Sequence, residues 1–415
     1  MKYFHVWFFV LLVTGCYQKT PAKTESDAEP PSYRDSASGD DEVATDTEQF
    51  SDGGEDTSTP EDDLCPEITT KHCPRGYDIS KELISASAID QSARFVDMVT
   101  GNITAYGDQA DTASYLPGAI LGEHERGGAT TPFLVVGRFF EYPSSLSHFT
   151  VSYPAQGTEA YAAISLTREG GEYKYEPGCY IALLCSDSEC FLARSLSSPD
   201  ASDDLVPIPN GVVPLPGTPR ALLARGDDIW VAGNGIARFD GQSWNVEIAP
   251  HSGGFLNALD ALEEEYLGAA GDNGRILVRD NSGWRELASG ADEDLLDVRL
   301  DNQEDQHALA AVGRRGILVT ASSLGSVEAS PCTIFHATIS SIQRRPLEPG
   351  GSMIRCGAAD GAILSQPKVG DYSFCISRSF PGEILKIGHD YCGIVSNHSF
   401  LTENGFWAMV ACDAG

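Results

Sequence analysis

Residues 229–244 read IWVAGNGIARFDGQSW: an apolar run, a Gly-Asn-Gly turn, a second apolar run, then Asp-Gly-x-x-Trp. Two runs of four or five apolar residues on either side of such a turn are the mark of a β-hairpin. The pattern recurs. "VAGNGIARF" aligns with "GAAGDNGRILV", "AAVGRRGILV", "RCGAADGAIL" and "GIVSNHSFLT". The glycines taken to mark these turns, Gly233, Gly271, Gly313 and Gly357, are 38, 42 and 44 residues apart, and a last turn near Asn397 lies 40 further on. In two repeats the second strand is followed by an aromatic, Trp244 in "DGQSW" and Trp284 in "DNSGW", and then by an alternating strand.

A period near 40 with hairpin content is that of a β-propeller blade. The expected order is inner strand, hairpin, middle strand, turn, outer strand. Glycine or asparagine supplies positive φ at the turns, and the tryptophans fill the wedge between blades. Weaker segments keep the phase: "IALLCSDSECFLARS" around Asp187, "PFLVVGRFFEYP" around Gly137, and "FVDMVTGNITAYGD" as a further hairpin around Gly101. "LDALEEEYL", from Leu259, has helical composition, but the phase makes it an innermost strand and its turn. The fold class is therefore all-β, a propeller of seven blades, with six and eight as alternatives.

These residues resemble bacterial propellers of the Kelch, Asp-box and photosystem-assembly-factor type, in particular the D-G-x-x-W blades of exported bacterial proteins. The resemblance is carried by residues 221–320 and its motifs are structural. An Asp box proper reads Ser-x-Asp-x-Gly-x-x-Trp, and Asp240-Gly241 and Asp280-Asn281 depart from it, so it implies no sialidase chemistry.

The chain opens with MKYFHVWFFVLLVTGC, a basic residue, an apolar core too short to span a bilayer, and small residues before Cys16. This resembles the bacterial lipobox. It implies a signal peptide over residues 1–15, lipidation of Cys16 and, with Tyr17 rather than Asp following, sorting to the outer membrane of the cell envelope. Residues 17–64 hold 15 Asp/Glu against three Lys/Arg, a local net of −12, with few large apolar side chains. Such a segment cannot offset its ordering entropy and reads as a disordered tether. Residues 65–415 are then the propeller domain.

Outside the signal and the tether, a net charge of −21 remains of the chain's −32. That argues against nucleic acid, which needs a basic footprint. Of 11 cysteines, Cys16 goes to lipid, and an even ten in an exported chain read as disulfides. Cys185–Cys190 across a hairpin turn is the first pair expected, and Cys65–Cys73 a second. Cys179, Cys332, Cys356, Cys375, Cys392 and Cys412 stay unassigned.

No metalloprotease, nucleophile-elbow or calcium-loop motif occurs, and no metal or cofactor is implied. Arg225-Gly226-Asp227 reads as a turn, and the sequence around Asp301 as a solvated hairpin. Asn102 and Asn397 head sequons that a bacterium usually leaves unmodified. Glu123, His124, Glu125 and Arg126 sit together and read as a charged loop top. Two function classes follow. The first is a non-enzymatic binding scaffold for a protein or glycan partner, an envelope-assembly role being one case of it. The second is a hydrolase or lyase with its site at the channel mouth, for which the loop at Glu123–Glu125 is the candidate.

Overall fold

A computed structural model describes residues 68–72 and 80–410, except for 101–103, 107–112, 127, 143–147, 155–160, 169–179, 196–204, 263–265, 304–305, 322–329, 348–350, 366–373, 380–381 and 389–397. Cys16, Cys65, Cys73, Cys179, Cys392, Cys412, Asn102, Asn397 and the acidic segment before residue 65 lie outside these residues. The described strands form seven sheets. The innermost strands of successive sheets pack side by side, and the last packs on the first. The protein is a seven-bladed β-propeller.

Blade 1 comprises Arg94–Thr100, Ala113–Arg126, Ala129–Tyr142 and His148–Ser152. Blade 2 comprises Ala162–Arg168, Tyr180–Cys185, Cys190–Ser195 and Leu205–Val212. Blade 3 is Ala221–Arg225, Asp228–Ala232, Ile236–Phe239 and Trp244–Ile248, and blade 4 is Leu256–Ala261, Leu267–Gly271, Ile276–Asp280 and Gly283–Leu287. Blade 5 is Leu295–Gln303, Gln306–Gly313, Ile317–Ala321 and Ser330–Thr333. Blade 6 is Ile339–Leu347, Gly351–Ala358, Ala362–Ser365 and Phe374–Ser379, with Ile68–His72 added in parallel at its outer edge. Blade 7 takes Ile384–Ile387, His398–Thr402 and Gly405–Val410 from the end of the chain and its outer strand, Ser80–Ser85, from the beginning. The ring is thus closed by hydrogen bonds between strands from opposite ends of the sequence.

Several readings shift by one element. Ile229 lies in the second strand of its blade, Asp228–Ala232, not in the innermost, which is Ala221–Arg225. Gly137 lies inside the strand Ala129–Tyr142, and the turn of that blade precedes Ala129. The segment around Gly101 is not a hairpin: Arg94–Thr100 and Thr104–Tyr106 both pair with Ala113–Arg126. Gly357 lies in a strand, and the turn of its blade carries Gly361. Period-2 patterning locates a strand without fixing its rank in the sheet, which explains these errors.

The strands read as unbroken apolar runs because each blade is covered on both faces. Successive side chains alternate between faces. Ile181 and Leu183 pack with Leu222 and Val231 of blade 3, whereas Ala182 and Leu184 pack with Ala119 and Leu121 of blade 1. Ala232, Ala270 and Ala311 are fully buried, which accounts for the small residues near these turns. Among the described residues the fully buried tryptophan is Trp230. Trp244 and Trp284 are only half-buried, because they head outer strands; each still bridges blades, donating its indole N–H to Asn210 O at 2.9 Å and to Glu247 Oε2 at 2.7 Å.

A repeated bulge organises the centre. In six blades the innermost strand skips one residue against the second strand, after Phe95, Ala163, Leu256, Leu295, Ile339 and Ile384. An extra residue re-aims the side chains that follow it. Asp97 and Asp297 come directly after two of the bulges. Asp97 Oδ2 accepts from Leu166 N at 2.8 Å and Ser165 Oγ at 2.9 Å. Asp297 Oδ2 accepts from Ile342 N at 2.9 Å and Ser341 Oγ at 3.0 Å. Asp260 Oδ2 takes Leu300 N at 2.7 Å, Thr167 Oγ1 takes Ala224 N at 3.0 Å, and Ser341 Oγ takes Ile387 N at 3.1 Å. An innermost strand has a free edge toward the axis, and its buried N–H groups need acceptors. The preceding blade supplies them.

Candidate functional site

One face of the ring carries the connections between blades and the turns between second and third strands; it is called the connection face below. Its best-formed turns are Gly271-Asp272-Asn273-Gly274 in blade 4 and Gly313-Arg314-Arg315-Gly316 in blade 5. Gly271 and Gly313 are extended, at φ −163° and −166°. They are required by space, since a Cβ would strike the carbonyls of Phe255 and Asp294. Positive φ falls instead on Asn273, Gly274, Arg315 and Gly316. This corrects the expectation that Gly271 and Gly313 supply it.

Asp272 anchors the turn. Its Oδ2 accepts from Phe255 N at 2.9 Å and its Oδ1 from Asn257 Nδ2 at 3.0 Å and Arg220 Nη1 at 3.2 Å. Burial works to raise its pKa, but these bonds and the Arg220 charge outweigh it and hold the carboxyl below its ordinary value. The Arg220 guanidinium also lies 4.3 Å from the centre of the Phe255 ring. Farther along, Arg314 pairs with Asp294 at 3.2 Å and Arg315 with Glu293 at 2.7 Å.

Beside this turn, on blade 4 where the connection from blade 3 enters it, lies a cleft of about 550 Å³, lined among others by His251, Asn273, Arg275, Glu286 and Ser289. His251 belongs to the connection entering blade 4. Its backbone N–H is bound by Asn234 O at 3.2 Å, and its Nδ1 accepts from Gly253 N at 2.6 Å. Arg275 begins the return from the turn, with Nε 3.6 Å from Glu286 Oε2. Two residues of the lining each carry a buried polar atom without a hydrogen-bond partner, His251 Nε2 and Arg275 Nη1. Buried polar groups are nearly always satisfied, so these two are exceptions within the wall, and the concavity makes the cleft the candidate site on this face. Sequence reading missed all of these residues. The available signal was Gly253-Gly254 in a blade connection directly before an innermost strand.

The residues singled out from sequence are elsewhere. Glu123 and His124 are not on a loop top: both lie in the strand Ala113–Arg126 and are buried. Glu123 Oε1 accepts from Arg94 Nε at 2.7 Å and Oε2 from Ala163 N at 3.1 Å, which joins blade 1 to blade 2. His124 Nδ1 is 3.2 Å from Asp90 Oδ2, and its ring lies between Phe133 and Tyr153. Asp90 is lowered to about 2, first by the Ser92 N–H and hydroxyl and then by His124. Glu123 therefore staples blades, and Glu125 is exposed. Arg225-Gly226-Asp227 forms the turn on the opposite face, as read. Asp301 lies near the end of a strand that returns through a hairpin, but it is buried, contrary to a wholly solvated reading.

Cys185 and Cys190 are disulfide-bonded across their turn, and Cys332 is also in a disulfide. Cys356, one of the six cysteines left unassigned, departs from the disulfide reading. It is a free thiol, fully buried among Ile339, Ile342, Ile354 and Leu364. The side chain of Cys375 lies outside the described residues.

No family model and no curated protein sequence matches the chain. Solved structures do. One described as "YCF48 bound to D1 peptide" superimposes with a TM-score of 0.53 at 12% identity, covering 84% of this chain and 99% of the other. Sqt1 of Chaetomium thermophilum gives 0.51 at 12% identity, covering 78% and 96%. The WD40 repeats of RRP9 give 0.50 at 10%, covering 80% and 99%. The chain is a seven-bladed propeller like these. At such identities the likeness concerns the fold.

Proposed function

We propose that this protein is a non-enzymatic scaffold that binds a protein partner on the connection face of blades 3 to 5 and is held to the bacterial outer membrane by lipid on Cys16. The cleft on the connection face, beside the turn of blade 4, carries the reading. It lies on a closed ring whose loops are held in place, as recognition from loops requires. The similar fold of a propeller solved with a bound peptide is consistent with it. The engagement of both Glu123 oxygens in structural bonds weighs against the channel-mouth enzyme. Two acyl chains suffice for stable anchoring, and a 48-residue coil spans roughly 40 Å, enough to lift the ring clear of the head groups.

The test is crosslinking in intact envelopes with the full chain. The same proteins should be captured by wild type and by Asp227→Lys on the opposite face, and lost from a protein carrying Arg275→Met with Arg314→Glu. Equal capture by all three sinks the reading of this face. Metabolic labelling with an alkyne fatty acid tests the anchor: label should be present on wild type and absent from Cys16→Ser, and equal labelling refutes it.

A further inference from the structure

We propose that the outer edge of blade 6 is a docking site for an extended strand of a partner protein, and that the segment Ile68–His72 occupies it in cis until the partner displaces it. This rim site is separate from the connection face and stands or falls independently of the scaffold reading there. The outer strand of blade 6 is Phe374–Ser379, and Ile68–His72 adds a further strand beyond it. Among the described residues, no other outer strand has a strand beyond it. Ring closure does not need the addition, because Ser80–Ser85 performs it on blade 7. The occupant is separable from the ring.

An edge strand presents unpaired N–H and C=O groups, and proteins blunt such edges with proline or charge, or cover them. The outer strands of blades 2 and 5 contain Pro207, Pro209 and Pro331. Those of blades 4 and 7 contain Arg285-Glu286 and Lys81-Glu82, and that of blade 3 contains Glu247. Phe374–Ser379 has neither proline nor an acidic residue. His148–Ser152 in blade 1 lacks them too, but it is the edge of blade 6 on which an extended segment is seated, and that segment shows what the edge accepts. The hold on it is weak. Ile68 pairs with Phe374 and His72 with Ile376, four residues against two, so the ladder is interrupted. Parallel pairs are also slightly less stable than antiparallel ones. Proximity keeps the segment in place: residues 73–79 separate it from Ser80, and so short a link gives an effective concentration on the order of millimolar. A partner strand rich in β-branched residues, as Ile68-Thr69-Thr70 is, that forms an uninterrupted ladder gains main-chain bonds the cis segment lacks.

The test uses the full chain and a fluorescent peptide of residues 66–72, PEITTKH, with PEIPPKH as a control of equal charge. Proline cannot donate to a ladder, so Thr69→Pro with Thr70→Pro releases the cis segment. This variant should bind the peptide saturably, at least tenfold more tightly than wild type, because the competitor in cis is gone. It should not bind the control. Backbone amides of Phe374–Ser379 should exchange faster in the variant than in wild type and regain protection when the peptide is added. Thr69→Gly with Thr70→Gly keeps the N–H groups and should fall between the two; it serves if the proline variant aggregates. The proposal is overturned if the peptide binds wild type and the soluble variants equally, if it binds none of them, if the control binds as well, or if exchange at Phe374–Ser379 is the same in all. A variant that dimerises through this edge and excludes the peptide would assign the edge to a second copy of the chain, which also overturns a foreign partner.

Discussion

The carboxylate of Asp297 in blade 5 accepts the backbone N–H of Ile342 in blade 6 at 2.9 Å, so a side chain of one sheet completes the edge of the next. Its other oxygen takes Val298 N at 3.0 Å. Asp297→Ala leaves the Ile342 N–H buried and unpaired, at a cost of about 1–3 kcal/mol. Calorimetry should show a melting temperature several degrees lower. Asp297→Asn, which keeps one acceptor oxygen, should lose less. Equal stability of the three proteins would remove the staple from the account.

Deleting the strand Ser80–Ser85 should have a different kind of effect. A chain beginning at residue 65 retains every described strand and should melt cooperatively. A chain beginning at residue 86 leaves Gly405–Val410 as an open edge and uncovers Phe406 beside Phe95 and Phe133. Unpaired edges with apolar faces aggregate. The expected result is insoluble protein, and a soluble, cooperatively melting product would contradict closure by this strand.

The tryptophans should separate by burial. Trp230→Ala removes a fully buried side chain and should cost about 3–5 kcal/mol. Trp284→Phe keeps most of the packing and loses the bond to Glu247, worth about 1.5–3 kcal/mol because the acceptor is charged. Denaturant titration distinguishes them, and reversal of the order would show that the half-buried positions carry the ring.

These positions show how much was legible. The repeat from Gly233 onward predicted blades because strand, turn and strand recur at fixed spacing, and Asp187 between two apolar runs placed the Cys185–Cys190 pair. The rank of a strand within its sheet was not legible, as at Ile229, because innermost and second strands are equally apolar. Closure by Ser80–Ser85 was hidden because its partner lies at the far end of the chain. The staples were hidden because an aspartate in an apolar strand, such as Asp97 or Asp297, looks like a surface position until the bulge turns it sideways. The cleft was hidden because its lining is drawn from separate stretches of chain, around His251, Asp272 and Glu286.

Acid should destabilise the domain in a defined window. The Asp240 carboxyl is held low by the Ser243 and Gln242 N–H groups, that of Asp280 by the Ser282 hydroxyl and N–H, and Asp90 lies at about 2. A folded pKa below the unfolded one gives stability that is present above the ordinary value of 3.8 and lost as pH falls through the folded value. The melting temperature should therefore fall as pH drops below about 4 toward 2. Asp240→Asn with Asp280→Asn should flatten that fall, and an unchanged slope would show that these turns do not set it.

The Cys356 thiol should be silent in the native protein. Burial pushes its pKa up, and the Asp297 charge adds to this. The thiolate is the reactive form, so a maleimide should label Cys356 only as fast as the domain opens. Prompt labelling in the absence of denaturant would show that blade 6 is loosely packed.

Ring closure across the termini also imposes an order in time. Ser80 pairs opposite Val410, 330 residues away, whereas each hairpin of blade 4 joins residues fewer than 20 apart. Loop-closure entropy makes that final pairing about 2 kcal/mol harder to nucleate than a contact spanning a single blade of about 40 residues, and contacts this distant in sequence slow folding. Blades 3, 4 and 5 can assemble from local contacts as soon as they exist. The strand Ser80–Ser85, made early, waits unpaired until Gly405–Val410 arrives. Amide exchange should record this history as a gradient, with protection greatest across blades 3 to 5 and the seam of blade 7 opening first.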